Sequence, residues 1–220
     1  MEILKLREKL FDKLVGTGWD NELRFFIKSQ EFDDILFKLM MEVEDGFRFT
    51  PALNDIFKPF ELCPLDKLKV VFLYQEPYLD PTMNDGLALS NTGINRTIPM
   101  EFYRLKEELI KQVPNHTLDE ADLSDWASQG VLLLNQSLTA RITSPNRHMK
   151  FWEPFLNYLM EILSRKDIIF VFIGNHPFDE VEGFNLASLP DTYHSKWESN
   201  NLFLDINKKL VEKKLSEIIW

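Results

Sequence analysis

A single cysteine, Cys63, stands in 220 residues. With no second thiol there is no internal disulfide framework, and within Leu62-Cys63-Pro64-Leu65 it is expected as a small packed residue rather than a reactive group. Histidine is sparse too. His116, His148 and His176 show no metal-ligand spacing with Cys63 or one another, so neither a metal nor another cofactor is expected. Gly174-Asn175-His176-Pro177 lacks the glycine pattern and lysine of a phosphate-binding loop. No apolar run is long enough for a bilayer and the first residues do not resemble a signal peptide, which predicts a cytoplasmic protein without a membrane partner. Positive charge is also short: 25 Lys and Arg against 35 Asp and Glu give a formal net charge of −10. Broad attraction to polyanions is thereby excluded, leaving room only for a local basic groove.

What is present is ordinary globular composition, 45% hydrophobic and 27% charged, in a length that suits one domain. Residues 2–14 and 21–41 carry apolar side chains at helical spacing and predict amphipathic helices around Gly16-Thr17-Gly18. Residues 49–60 lack a period and predict a loop with a short turn, its aromatics packed on the core. Short buried strands are expected at 68–73, 131–134 and 168–173, with helices at 99–112, 122–129 and 149–163 between and before them. A short helix, a brief strand near 185–189 and a closing helix over 200–219 complete the pattern. Strands alternating with helices give an α/β fold of three layers, a short central parallel sheet flanked by helices. One domain over 1–220 is expected, with a helical part at 1–45 and a core at 46–220.

The segment Val70-Val71-Phe72-Leu73-Tyr74-Gln75-Glu76-Pro77-Tyr78-Leu79-Asp80-Pro81 ends an apolar strand in a proline-punctuated polar turn. In open α/β sheets, ligand sites lie beyond the carboxyl ends of strands. Gly86-Leu87-Ala88 follows, and further on comes Trp126-Ala127-Ser128-Gln129-Gly130-Val131-Leu132-Leu133-Leu134-Asn135, then Leu138-Thr139, Arg141, His148, Trp152 and Phe155. In that order, these pieces resemble the uracil-DNA glycosylases of the main type, over roughly residues 49–210. Tyr74-Gln75-Glu76-Pro77-Tyr78-Leu79 occupies the place of the family's Gly-Gln-Asp-Pro-Tyr-His. Glu76 thus replaces an aspartate, Leu79 a histidine and Tyr74 a glycine, while Leu89 stands where the family stacks a phenylalanine on the base. The family's His-Pro-Ser-Pro-Leu-Ser has no clear counterpart; the nearest stretch is Leu189-Pro190-Asp191-Thr192-Tyr193-His194-Ser195.

The resemblance implies an N-glycosylase that flips a pyrimidine, hydrolyses its glycosidic bond and leaves an abasic site, with a nucleoid-associated address. Such chemistry needs a carboxylate near the cationic sugar and donors around the departing base. Glu76 and His194 are the expected catalytic pair. Gln75, Tyr78, Leu89 and Asn135 are expected to hold the base, Asn135 through an amide that both donates and accepts. Pro81, Ser90, Tyr193 and Trp197 are expected to touch DNA, the aromatic pair as a wedge. Five of them have a structural alternative: a solvated acid at Glu76, a turn cap at Asn135, a packed ring at Tyr78, a turn amide at Gln75 and a surface or packing residue at His194. The target is uracil or a modified pyrimidine, such as occurs in modified phage DNA. Expected partners are DNA and a proteinaceous inhibitor or replication protein, and a monomer is expected. The alternative class is a catalytically inactive glycosylase fold that serves as a DNA-binding or protein-binding module.

Overall fold

A computed structural model describes residues 2–92, 98–118, 120–173 and 201–220, and the backbone of 192–195. The first helices are α1 (Glu2–Asp12), α2 (Trp19–Ile27) and α3 (Gln30–Glu44). The single helix predicted over 21–41 is therefore two, and Ser29 is the reason. Its hydroxyl accepts the Phe32 N–H as the N-cap of α3 and donates to the Phe26 carbonyl at 2.6 Å, closing α2. Where the sequence predicts a loop, β1 (Phe49–Thr50), a 3-10 turn at Leu53–Asp55 and α4 (Lys58–Leu62) follow. The antiparallel partner of β1 is β4 (Ala140–Arg141), with Phe49 opposite Arg141. Strands of two residues carry no period, so neither is readable from pattern.

The main sheet is built from β2 (Val70–Tyr74), β3 (Val131–Asn135), β5 (Ile169–Ile173) and β6 (Thr192–Ser195) in the order β3-β2-β5-β6, every neighbour parallel. Along each of the first three, alternate residues enter opposite cores. Val71, Leu73, Leu132, Leu134, Phe170 and Phe172 pack against α1–α3, α4 and α7 (Met149–Leu163). Val70, Phe72, Val131, Leu133, Ile169 and Val171 pack against α5 (Met100–Gln112), α6 (Ser124–Ser128) and α8 (Leu202–Glu212). Burial on both faces explains why these strands are continuous apolar runs rather than alternating ones. The result is the expected three-layer α/β architecture.

Gly130 sets the start of β3. Its φ is 106°, and a Cβ there would lie 2.1 Å from the Lys67 carbonyl oxygen, so only glycine lets β3 enter beside β2. At the other end, α8 stops at Glu212 rather than running to 219. Lys214 turns the chain with φ 61°, and the following residues fold back on the core. Asn207 clamps both backbone groups of Ile218 at 2.9 Å, while Trp220 packs edge-on to Trp126 at 4.9 Å. The short helix and strand predicted between β5 and residue 200 lie outside the described residues.

Candidate functional site

Parallel registration brings the chemistry together. Tyr74, last in β2, is opposite Asn135, last in β3, so the turn after β2 and the Asn135 side chain share the carboxyl edge of the sheet. The Tyr74 carbonyl accepts from Gln136 N–H at 2.8 Å, and the Gln75 carbonyl accepts from Ser137 N–H at 3.2 Å. The two strand exits are thus joined beyond the sheet itself. Pro77 is buried, and Gln75, Glu76 and Tyr78 are half-buried.

Asn135 is 3% exposed, and among the described residues its Oδ1 has no hydrogen-bond partner. A buried amide oxygen left unpaired costs about 1–3 kcal/mol. Nearly all buried polar groups in folded chains are paired, so an orphan at a strand's carboxyl edge points to a ligand donor. The turn-cap alternative for Asn135 would have supplied that partner.

Glu76 is held by the turn before α7. Oε2 accepts the Asn146 backbone N–H at 2.8 Å. Burial raises the acid's pKa above the ordinary glutamate value, and this hydrogen bond pulls it partly back. Asn146 also accepts from the Gln75 amide, Nε2 to Oδ1, at 2.7 Å, so Gln75 is tethered beside the acid. Tyr78 donates its hydroxyl to the Leu89 carbonyl at 2.9 Å. Burial pushes its pKa far up, so it stays a neutral donor.

The segment that follows is a rigid support. Asp85 accepts from Leu87 N–H at 2.9 Å and from the Ser90 hydroxyl at 2.7 Å, with Lys58 Nζ at 3.9 Å. Gly86 has φ 97°, and a Cβ on it would meet the Asp55 carbonyl oxygen at 2.3 Å. Glycine is therefore required where this turn presses on the 3-10 turn.

Relatives by sequence and solved structures by fold point the same way. No protein-family model matches the chain. A uracil-DNA glycosylase of Mesomycoplasma hyopneumoniae is 32% identical over 205 residues, covering 88% of this chain and 92% of its own. One from Francisella tularensis subsp. novicida is 32% identical across 92% of this chain and 97% of its own. The chain belongs to the uracil-DNA glycosylase family. Its fold matches the crystal structure of mimivirus uracil-DNA glycosylase with a TM-score of 0.82 at 20% identity, across 96% of this chain and 88% of that one. A substituted mimivirus UNG in complex with UGI matches with a TM-score of 0.80 at 21% identity, across 95% and 92%.

Several expected roles are redrawn by the geometry. Ser90 is 0% exposed; its hydroxyl donates to Asp85 and accepts from Leu123 N–H at 3.1 Å. Its hydrogen-bonding capacity is used inside the fold, which removes it as a DNA contact. Leu89, expected against the base, is 2% exposed and belongs to the apolar cluster with Phe72, Leu87 and Ala88, at a left-handed φ of 64°. What it presents to the site is its carbonyl, the anchor of Tyr78. Pro81 is exposed and lines an open cleft of about 510 Å³ with Phe47, Arg48 and Ile142.

The backbone of His194 lies in β6 opposite Phe172, inside an edge strand rather than in a loop. The side chains of Tyr193 and His194, and all of Trp197, lie outside the described residues. Cys63 is 0% exposed and burial pushes its thiol up to about 12, so it is inert. Among the described residues no group of three or more His, Cys, Asp or Glu is arranged to hold a metal ion, and no helix is long and apolar enough to cross a membrane.

Sequence reasoning missed Asn146 and the network behind it. His148 is 0% exposed, with Nδ1 2.8 Å from Thr139 Oγ1 and Nε2 2.7 Å from Glu42 Oε2. Trp152 Nε1 donates to Thr139 Oγ1 at 2.7 Å. A carboxylate only accepts, so Nε2 carries the proton, and the Thr139 hydroxyl donates to Nδ1. Burial lowers the pKa of His148, against the raising effect of Glu42, and keeps it neutral. The one available signal for Asn146 was its residue type: Asn tolerates the left-handed conformation, and here φ is 63°.

Proposed function

We propose that this protein hydrolyses the N-glycosidic bond of deoxyuridine in DNA, leaving an abasic site. The observation that carries the proposal is the orphaned Oδ1 of Asn135 at the same sheet edge as the Glu76 carboxylate. Uracil offers an N3–H to that oxygen and an O4 that accepts from the amide nitrogen. Cytosine, unprotonated at N3, would leave the oxygen unpaired, which is a strong basis for rejection. The Tyr78 ring cannot swing aside without breaking its bond to Leu89, so a ring wall near C5 favours uracil over pyrimidines with large C5 groups.

The reaction needs a flipped nucleotide. As the C1′–N1 bond breaks, its electron pair leaves with the base, and the sugar becomes cationic. Glu76, ionised, faces that cation and orients a water. The water oxygen bonds to C1′ and its proton passes to the Glu76 carboxylate. Gln75 lies beside the base, and His194 is the proposed donor to its developing anion. Tyr193 and Trp197 are the proposed wedge, with Pro81 and Arg48 on the rim of the DNA path.

Single-stranded and duplex oligonucleotides carrying uracil, thymine or 5-substituted cytosines, followed by alkali, test this directly. Strand breaks are expected at uracil. Glu76→Gln and Asn135→Ala are each expected to lower the rate about 10²–10³-fold. Since a mimivirus UNG forms a complex with UGI, added UGI is expected to suppress the reaction. Retained DNA binding without abasic product at any base would favour the inactive-module reading instead.

A further inference from the structure

We propose that Asn146 is the positioning residue for Glu76 and Gln75, and that Glu42 of the helical layer fixes the turn that carries it. The inference rests on the reading of Glu76 as the catalytic carboxylate. A glutamate has one more rotatable bond than an aspartate, so its oxygens need an external hold if they are to face a developing charge reproducibly. Asn146 supplies it twice over. Its backbone N–H is 2.8 Å from Glu76 Oε2, and its side-chain oxygen is 2.7 Å from Gln75 Nε2. Both contacts depend on a left-handed φ of 63°, which aims the N–H and the side chain at the same turn.

The turn is itself held. Ser144 N–H donates to the Arg141 carbonyl at 3.0 Å and Arg147 N–H to the Ser144 carbonyl at 3.3 Å. Three side chains around it converge on one carboxylate. His148 Nε2 lies 2.7 Å from Glu42 Oε2, while Arg141 and Arg147 lie 3.7 and 3.8 Å from Oε1. Glu42 is 8% exposed, so water does not compete strongly for these partners. A residue of α3 thereby determines where the turn sits, and the turn determines where Glu76 sits.

The titratable group that faces Glu76 is Tyr74 at the end of β2, which in turn feels Glu101 and Arg104 of α5. The Asn146 N–H favours the ionised acid over this background. Removing it moves Glu76 toward protonation, whereas a purely structural turn would leave its titration unchanged.

The test uses Asn146→Ala, Asn146→Gly and Glu42→Ala in the full chain. Alanine strains the left-handed turn, while glycine keeps the φ and the N–H but loses the acceptor for Gln75. Carbon-13 NMR follows the Glu76 carboxyl, assigned by its disappearance in Glu76→Gln. Its midpoint is expected to rise in Asn146→Ala and Glu42→Ala and to stay near wild type in Asn146→Gly. In the uracil assay, Asn146→Ala is expected to lower kcat about 10-fold or more and move the acid limb to higher pH. Asn146→Gly should chiefly raise KM through Gln75. An unchanged Glu76 midpoint in Asn146→Ala overturns the inference. Should Glu42→Ala fail to fold, the Asn146 pair still decides it. A wild type without abasic product defeats the proposed function alone, because the carboxyl titration is read independently.

Discussion

At Asn135, function and stability pull in opposite directions. Its Oδ1 is buried and unpartnered among the described residues, a state that lowers stability until a ligand supplies the donor. Asn135→Leu, close in volume, is therefore expected to raise the unfolding free energy by about 1–3 kcal/mol while abolishing base reading. Chemical denaturation beside the uracil assay checks both halves; a destabilised leucine variant would show that the oxygen is paired in the free protein. Ser90 illustrates the converse. From its neighbours it could be a surface hydroxyl near DNA, and only the fold shows it saturated by Asp85 and Leu123.

Among elements, the link between α3 and the turn before α7 carries a titrating group. His148 is buried and neutral, its pKa lowered mainly by burial. The unfolded chain, with an ordinary histidine near pH 6.5, then binds more protons than the folded one as pH falls. Stability is thus held above that value and lost progressively below it. Melting temperature is expected to fall between about pH 7.5 and 5.5, and less steeply in His148→Gln. Glu76 works in the opposite sense, since burial raises its acid pKa, so the difference between the two proteins isolates the histidine. Equal slopes would mean that His148 titrates normally.

For the whole molecule, the first three helices share a core with the sheet rather than standing apart from it. Leu10, Trp19, Phe26, Phe32 and Leu36 share a cluster with Phe57, Phe60, Trp152 and Phe155 and with the inward residues of β2, β3 and β5. Phe32 alone lies 6.1 Å from the Phe57 ring and 6.4 Å from Trp152. Phe32→Ala is expected to cost about 3–5 kcal/mol, lowering the melting temperature by about 2–4 °C for each kcal/mol. One transition, coincident in near- and far-ultraviolet dichroism, is expected across the chain. Early loss of the helical layer would show that it folds apart.

The sequence by itself determined the layered α/β plan, because strands buried on both faces must be continuous apolar runs and leave a plain trace. It likewise determined that a carboxylate, a tyrosine and an asparagine follow strand ends, since those positions are counted along the chain. Tertiary structure alone decided which of them meet. Register set Asn135 beside Tyr74, a left-handed asparagine took hold of Glu76 and Gln75, and Glu42, 34 residues before Glu76, became part of the site's support. The physical reason is that hydrogen-bond partners far apart in sequence have no period or local spacing, and only the packed chain brings them within bonding distance. The thin positive charge and the lone cysteine excluded broad electrostatics and disulfides; packing then made the distant contacts that remained.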